Sequence, residues 1–192
     1  MKLYELRKTV AIVSILNFFY FVVEFTFAQI LGSLSLLSDS LDFLEDASIN
    51  LLIFIAFAWS IAARKVLSYF LAVILLIPGV LFIYSAISRI NEPVVPNGAG
   101  MSLIGFGALI INIYCAYILV KHKSEEGGLA KAAYLSARND AFANVLIICA
   151  GLITYFWRSQ MPDLLIGVAI FVMNFDAAIQ VINSQRKNRV EQ

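Results

Sequence analysis

Apolar residues run along the chain in six long stretches that are separated by short polar breaks. An α-helix needs about 20 mostly apolar residues to cross a bilayer, and each stretch approaches or exceeds that length. The breaks contain basic pairs, prolines, or charged residues next to glycines, which is typical of loops. The pattern predicts six transmembrane helices, at residues 9–31, 34–62, 67–90, 101–120, 129–157 and 164–182.

The composition agrees with a membrane protein. Hydrophobic residues make up 61% of the chain and charged residues 14%, against about 45–50% and about 25% in soluble domains. Most Lys and Arg residues flank the spans on the side of the N-terminus, which places both termini in the cytoplasm. We expect one all-α domain over residues 1–192 in the plasma or inner membrane, with no sizeable soluble domain after it. The net charge of +1 offers no basic surface for nucleic acid.

Carboxylic acids lie within the predicted spans, where water cannot solvate them freely. A carboxylate at the bilayer centre costs about 2.5–3.5 kcal/mol on insertion scales. Each one therefore needs a metal ion, a water-filled cavity, a basic partner or a proton. Seven of the 13 acidic residues fall in spans: Glu24, Asp39, Asp42, Glu45, Asp46, Asp140 and Asp176.

The spacing of these acids brings some of them together. Asp42 and Asp46 are four residues apart in the second span, so their carboxylates lie one above the other on one helical face. Ser136, Asp140 and Asn144 share a face of the fifth span. At about 1.5 Å per residue, Asp42, Asp46 and Asp140 all approach mid-depth in the bilayer. We predict that these three carboxylates and the Ser136 hydroxyl lie at one level.

Such a group of carboxylates is suited to hold a cation. Three packed carboxylates repel one another and take up protons unless a divalent ion removes the repulsion. Oxygen ligands suit hard or borderline ions such as Mg, Mn, Fe or Zn. Because the ligands must lose their protons to bind, metal binding releases protons, which is a physical basis for metal–proton exchange. The structural alternative is that the acids are neutral, or pair with helix ends, and only hold helices together.

The segment GSLSLLSDSLDFLED, from Gly32 to Asp46, resembles the second helix of the cation diffusion facilitators. These proteins are six-span exchangers of divalent metals for protons. The resemblance assigns Asp42 and Asp46 to the two metal positions of that helix. It implies an efflux transporter and not an enzyme, with Zn, Mn or Fe as cargo, no cofactor, and a homodimer in the bilayer. Other matching positions are Asn17, Glu24, Asn91-Glu92-Pro93, Asn112, Ala133-Tyr134-Leu135 and Pro162-Asp163.

Three features depart from the family pattern. Ser136 stands where the family has a fifth-helix His, so the site consists of oxygen ligands, which favours Mn or Fe without excluding Zn. We expect no cytoplasmic metal-binding domain of the kind that usually follows the sixth helix, and the connections between the predicted spans carry no His-rich loops. Ser136 is the expected fourth neighbour of Asp42, Asp46 and Asp140. Possible accessory residues are Asp39, Asn139 and Asn144.

The acids of the second span also fit an enzyme. The string Asp39-x-x-Asp42-x-x-x-Asp46 matches the DxxDxxxD pattern with which membrane prenyltransferases hold Mg and a diphosphate. Those enzymes resemble nine-span bundles and carry a second Asp-rich motif, whereas the fifth span here offers only Asp140. A Mg-dependent prenyltransferase is therefore the second-ranked alternative.

Three further residue types receive structural interpretations. Glu45 lies off the face of Asp42 and Asp46, and contact with another helix is its expected role. His122 lies in a Lys-rich loop and is expected to be a solvated cytoplasmic residue. Cys115 and Cys149 are expected to be buried as small apolar side chains.

Overall fold

The computed structural model of the protein describes residues 2–56, 60, 63, 66, 70, 79–89, 91–122 and 129–173. These residues form helices and no strands, so the prediction of an all-α protein is confirmed. Helices satisfy their backbone N–H and C=O groups within one segment, as the bilayer interior requires. The helices are α1 (Lys2–Leu31), α2 (Leu34–Ala56), α3 (Gly79–Arg89), α4 (Gly98–Leu119), α5 (Leu129–Trp157) and α6 (Met161–Met173).

The observed helix limits agree with the predicted spans where both can be compared. α5 has the predicted limits, and α2 begins at the predicted residue. α1 begins earlier than predicted, because the polar segment ahead of the span continues the helix. The end of the predicted second span, most of the first half of the third and the second half of the sixth lie outside the described residues.

Among the described residues, three helical segments are long and apolar enough to cross a membrane: Tyr4–Leu31, Gly98–His122 and Lys131–Trp157. The described parts of α3 and α6 are shorter apolar helices. α2 has the length of a span, but its four acids, Asp39, Asp42, Glu45 and Asp46, make it too charged for a simple lipid-facing helix. α2 therefore depends on its neighbours to cover these side chains.

In the described bundle, α1 packs along α2 and α4 packs along α5, while α1 also meets α4 and α2 meets α5. The buried residues of α4 recur at intervals of three and four, so they lie on one helical face. That face points into the bundle, and exposed apolar side chains cover the outside. The buried face consists of Gly98, Met101, Gly105, Ala108, Asn112, Cys115 and Leu119.

The two long helices α4 and α5 approach each other most closely at a pair of glycines. A Cβ atom on Gly98 would lie 2.4 Å from the backbone oxygen of Gly151. A Cβ atom on Gly151 would lie 2.4 Å from Ser102 Oγ and 2.8 Å from the backbone oxygen of Gly98. Small residues at such a crossing let two helices approach within backbone contact, as is common in membrane proteins.

A cluster of hydrogen bonds joins α2 to α6 at one end of the bundle. We call this the outer end, and the end that holds the start of α1 and the end of α4 the inner end, in accordance with the predicted topology. Asp163 of α6 is buried and accepts hydrogen bonds from Ser33 Oγ (2.7 Å), Leu34 N (2.7 Å), Ser35 N (2.9 Å) and Ser35 Oγ (2.6 Å). The first N–H groups of a helix have no partner within it and attract negative charge. Asp163 therefore caps the N-terminus of α2.

The turn before α2 fits this arrangement. Gly32 has a φ of 67°, in the left-handed region that favours glycine, and reverses the chain between α1 and α2. The guanidinium of Arg89 in α3 donates hydrogen bonds to the carbonyls of Gly32 and Val94. A Cβ atom on Gly167 of α6 would lie 2.8 Å from the backbone of Leu34, so this glycine lets α6 approach the first turn of α2.

Two minor expectations were wrong. His122 is buried, with its Nε2 atom 3.3 Å from Thr9 Oγ1, because a 3-10 turn at Val120–His122 continues α4 and brings the imidazole against α1. Cys149 is exposed on the outside of α5, whereas Cys115 is buried as expected. An apolar run alone does not tell which side of a membrane helix faces lipid.

We predict that Gly151→Ala destabilises the bundle by about 1–3 kcal/mol, the usual range for overpacking. The added methyl group would collide with Ser102 Oγ and the backbone of Gly98. Thermal unfolding in detergent measures the effect. Gly79→Ala is the matched control, since no atom of the described residues lies within 4 Å of its Cβ position. Equal melting temperatures for the two variants would contradict the close crossing.

We predict that Asp163→Ala lowers the free energy of unfolding by about 1.5–3 kcal/mol, the range for hydrogen bonds to a charged group. The loss follows because α2 keeps unpaired N–H groups and the Ser33 and Ser35 hydroxyls lose their acceptor. Denaturant titration of the purified protein measures it. The exposed acid Glu92, replaced by Gln, is the control at the same end of the bundle. A stability equal to that of the control would exclude the capping role.

Candidate metal site

A cavity of about 200 Å³ lies between α2, α5 and the described part of α6. Carboxyl, hydroxyl and amide groups of α2 and α5 form its polar side, and α6 forms an apolar wall. The polar lining residues are Asp42, Glu45, Asp46, Ser136, Asn139 and Asp140, and the apolar ones are Ala143, Ile170 and Met173.

The helical repeat explains how two helices supply this lining. Asp42 and Asp46 are one turn apart on α2, and Ser136 and Asp140 are one turn apart on α5. Ser136 Oγ donates a 2.9 Å hydrogen bond to Asp46 Oδ1, which joins the two faces. Asp140, one turn after Ser136 on α5, lines the same cavity as Asp46. The structure therefore brings together the four residues that the spacing singles out.

The cavity concentrates acidic side chains with little positive charge to balance them. Asp42 and Asp46 are buried, and Asp140 and Ser136 are half-buried. Within the described part of the chain, no Lys or Arg forms a salt bridge with Asp46 or Asp140. Carboxylates in this situation need a bound cation or protons to remove their repulsion.

The carboxyl groups share a cavity but do not form a closed coordination shell. Among the described residues, no three His, Cys, Asp or Glu side chains are grouped tightly enough to hold a metal ion. A cation that binds here would have to draw α2 and α5 together through Asp46 and Asp140. The cavity has room for a partly hydrated divalent ion, since one water molecule takes about 30 Å³ of liquid volume.

The three accessory residues separate into two groups. Asn139 is exposed and lines the cavity. Asp39 and Asn144 do not line it and instead bond to each other, with Asn144 Nδ2 2.5 Å from Asp39 Oδ2. Asn112 of α4 extends this contact by donating to Asn144 Oδ1 at 3.0 Å. Asp39 therefore belongs to a buried polar network next to the cavity.

Glu45 lines the cavity, although its position on α2 indicated contact with another helix. It lies to one side of the face of Asp42 and Asp46, and that side is where α6 encloses the cavity. Ile170 and Met173 of α6 form the opposite wall. The sequence contains no signal for where α6 packs, so periodicity along α2 alone could not assign Glu45 to the site.

This geometry differs from that of a diphosphate-binding motif. Asp42 and Asp46 face the cavity, but Asp39 turns toward Asn144. The three aspartates of the DxxDxxxD string thus do not present one surface to a single ligand. The arrangement gives no support to a prenyltransferase.

The fold and the buried acids define the class: a multi-pass α-helical membrane protein with a carboxylate-lined cavity inside its bundle. The sequence pattern of the cation efflux transmembrane domain matches residues 10–187. The chain belongs to this family, and the resemblance to the cation diffusion facilitators is confirmed. The matched pattern is that of a cation efflux domain, so the family is one of transport domains and gives no support to the prenyltransferase alternative.

Similar curated proteins agree with this assignment. The zinc transporter ZitB of Yersinia pseudotuberculosis serotype I (strain IP32953) and that of Yersinia pestis are each 24% identical to the chain over 168 residues. The similar region covers 80% of this chain and 54% of each relative. The chain thus spans about half the length of these relatives.

Proposed function

We propose that the protein exports a divalent transition metal from the cytoplasm in exchange for protons. Asp42, Asp46 and Asp140 bind the ion within the membrane, and Ser136 is its fourth neighbour. The observation that carries this proposal is the cavity in which carboxylates from α2 and α5 meet. Membership of the cation efflux family and the zinc transporters among its relatives support it.

The ligand chemistry favours some ions over others. A site of carboxylates and a hydroxyl suits Mn²⁺ and Fe²⁺, which accept oxygen ligands readily. Zinc remains a candidate because carboxylates also bind it, and the relatives are named as zinc transporters. Since Ser136 supplies oxygen where an imidazole would supply nitrogen, we expect a weaker preference for zinc than a His-containing site has.

Proton exchange follows from the same carboxylates. With no metal bound, a proton on the carboxyl groups of Asp46 and Asp140, which line one cavity, relieves their repulsion. A divalent ion must displace that proton, and protonation on the outer side must expel the ion. Ser136 donates to Asp46, so entry of a metal also requires this hydroxyl to turn its oxygen toward the ion.

Alternating access requires the cavity walls to move relative to one another. α2 and α5 carry the ligands and α6 carries the apolar wall, so rocking of α6 against the other two helices opens one side and closes the other. The cap of Asp163 on α2 connects these elements at the outer end. A homodimer in the bilayer remains part of the proposal, since related transporters are usually dimers.

The first test is metal-dependent proton release by purified protein in liposomes. Addition of Zn²⁺, Mn²⁺, Fe²⁺, Co²⁺ or Cd²⁺ is expected to release protons in the wild type. Asp46→Asn combined with Asp140→Asn is expected to reduce the signal by roughly 100-fold or more, because loss of outer-shell partners alone reduces metal affinity by about 10–100-fold. The order of the ions gives the selectivity.

The control for this test is Glu5→Gln, which removes an exposed acid of α1 far from the cavity. It is expected to release protons like the wild type. Proton release that survives in the double variant would exclude these residues as the site. No proton release with any ion, from protein that is folded, would exclude metal–proton exchange.

A second test addresses selectivity. Ser136→His adds an imidazole nitrogen, which zinc favours more than manganese does. We expect the ratio of zinc to manganese affinity to rise by about tenfold, which corresponds to about 1.4 kcal/mol. Titration calorimetry with each ion measures the ratio, and Ser136→Ala is the control that only removes the hydroxyl. An unchanged ratio in the His variant would show that residue 136 does not contact the metal.

A further inference from the structure

Two carboxyl groups outside the cavity are buried against each other. Glu24 of α1 and Asp39 of α2 are both 0% exposed. Tyr20, one turn before Glu24, packs against Phe43, one turn after Asp39, with ring centroids 5.0 Å apart, so the antiparallel helices α1 and α2 bring the two carboxyl groups to the same level. Neither side chain lines the cavity. The pair is therefore a separate acidic group in the interior of the bundle.

The hydrogen-bond donors around the pair do not suffice for two carboxylates. Asp39 Oδ2 accepts from Asn144, but Asp39 Oδ1 and both oxygens of Glu24 have no donor among the described residues. Two adjacent buried carboxylates without donors would repel strongly. One proton between them converts that repulsion into a short, charge-assisted O–H···O⁻ hydrogen bond.

The part of the chain that the structure describes provides no other source of compensation around the pair. Tyr20 lies one turn before Glu24 on α1, but its hydroxyl donates to the carbonyl of Ile104 at 2.5 Å. The charged groups whose fields reach the pair, Asp42 from α2 and Asp140 from α5, are acids as well. From α4 comes Asn112, whose Nδ2 donates to Asn144 and whose Oδ1 also lacks a donor. The side chains described around the pair thus bring acceptors and negative charge.

We propose that Glu24 and Asp39 hold a single proton between them and form a proton-binding site separate from the acid-lined cavity. The proton stays with Glu24 while Asp39 remains an anionic acceptor for Asn144. The link to transport rests on the proposed function. Asn144 lies one turn from Asp140 on α5, so the charge of Asp39 determines how strongly this hydrogen bond holds α5 against α2. Charge-assisted hydrogen bonds are roughly twice as strong as neutral ones, so protonation of Asp39 as well would weaken its hydrogen bond with Asn144.

Infrared spectroscopy of the metal-free protein in liposomes tests the proton directly. A protonated buried carboxyl group gives a carboxylic C=O band that ionised carboxylates lack. Glu24→Gln is expected to remove this band, which is equivalent to one carboxyl group per chain. Asp39→Asn is expected to shift the band, because Glu24 keeps its proton in the buried site but donates it to a neutral amide oxygen instead of a carboxylate. In both variants an amide group takes part in the hydrogen bond, so the fold is retained. Glu5→Gln, which changes an exposed acid of the same helix as Glu24, is expected to leave the band unchanged.

The amide variants also test whether the proton-binding pair acts independently of metal binding in the cavity. We expect Glu24→Gln to bind Mn²⁺ or Zn²⁺ like the wild type, and to release fewer protons per metal ion bound. Glu24→Ala is expected to melt below Glu24→Gln, because Asp39 then faces a space without a donor. If one amide variant does not fold, the other decides the result through the band.

The outcomes distinguish the two proposals. A wild-type spectrum with no band that responds to Glu24→Gln or Asp39→Asn would overturn the shared proton, and a response to added Na⁺ or K⁺ would then identify a cation in its place. Loss of metal binding only in Asp46→Asn with Asp140→Asn supports the cavity independently. If the wild type binds no metal but shows the band, the proton site stands and the transport proposal fails.

Discussion

The burial of negative charge in a medium that solvates it poorly is the constraint on which the described structure depends. The bilayer requires helices, because each helix satisfies its own backbone. Because the backbone groups of a helix are bonded to each other, the acids of α2 find their partners among the side chains of neighbouring helices. α1, α5 and α6 all pack where these acids emerge, and a polar contact accompanies each of those helices. The arrangement of the bundle therefore follows largely from how α2 is covered.

Three polar contacts from α5 and α6 help to determine the position of α2. Asp163 caps its N-terminus from α6, Asn144 binds Asp39 from α5, and Ser136 binds Asp46 from α5. The two contacts with α5 bracket the candidate ligands, since Asp42 lies between Asp39 and Asp46, and Asp140 lies midway between Ser136 and Asn144. A change at either contact alters the gap between the carboxylates. The apolar packing of α4 against α5 supplies a rigid support on the other side.

The sequence allowed much of this to be predicted, because helical spacing is local. The repeat of four residues in α2 and α5 sufficed to group Asp42, Asp46, Ser136 and Asp140, and the observed cavity contains all of them. Three features were not accessible in this way. Glu45 joins the cavity through the position of α6, and Asp39 leaves that group because Asn144 binds it. Asp163 was noted only as a matching position, since its partners lie on a helix that is distant in sequence.

The two buried acid groups have different environments, and this difference bears on how a metal and a proton would be exchanged. The cavity is reached from the surface on the side of the exposed residues Glu45 and Asn139, whereas Glu24 and Asp39 are fully buried. The groups still interact, because the charges of Asp39 and Asp140 act on each other through a medium of low dielectric constant. A divalent ion in the cavity makes the local field that Glu24 and Asp39 experience less negative. The pair then binds its proton less tightly. A metal ion in the open cavity would therefore affect the closed proton site without any direct contact between the ion and the proton.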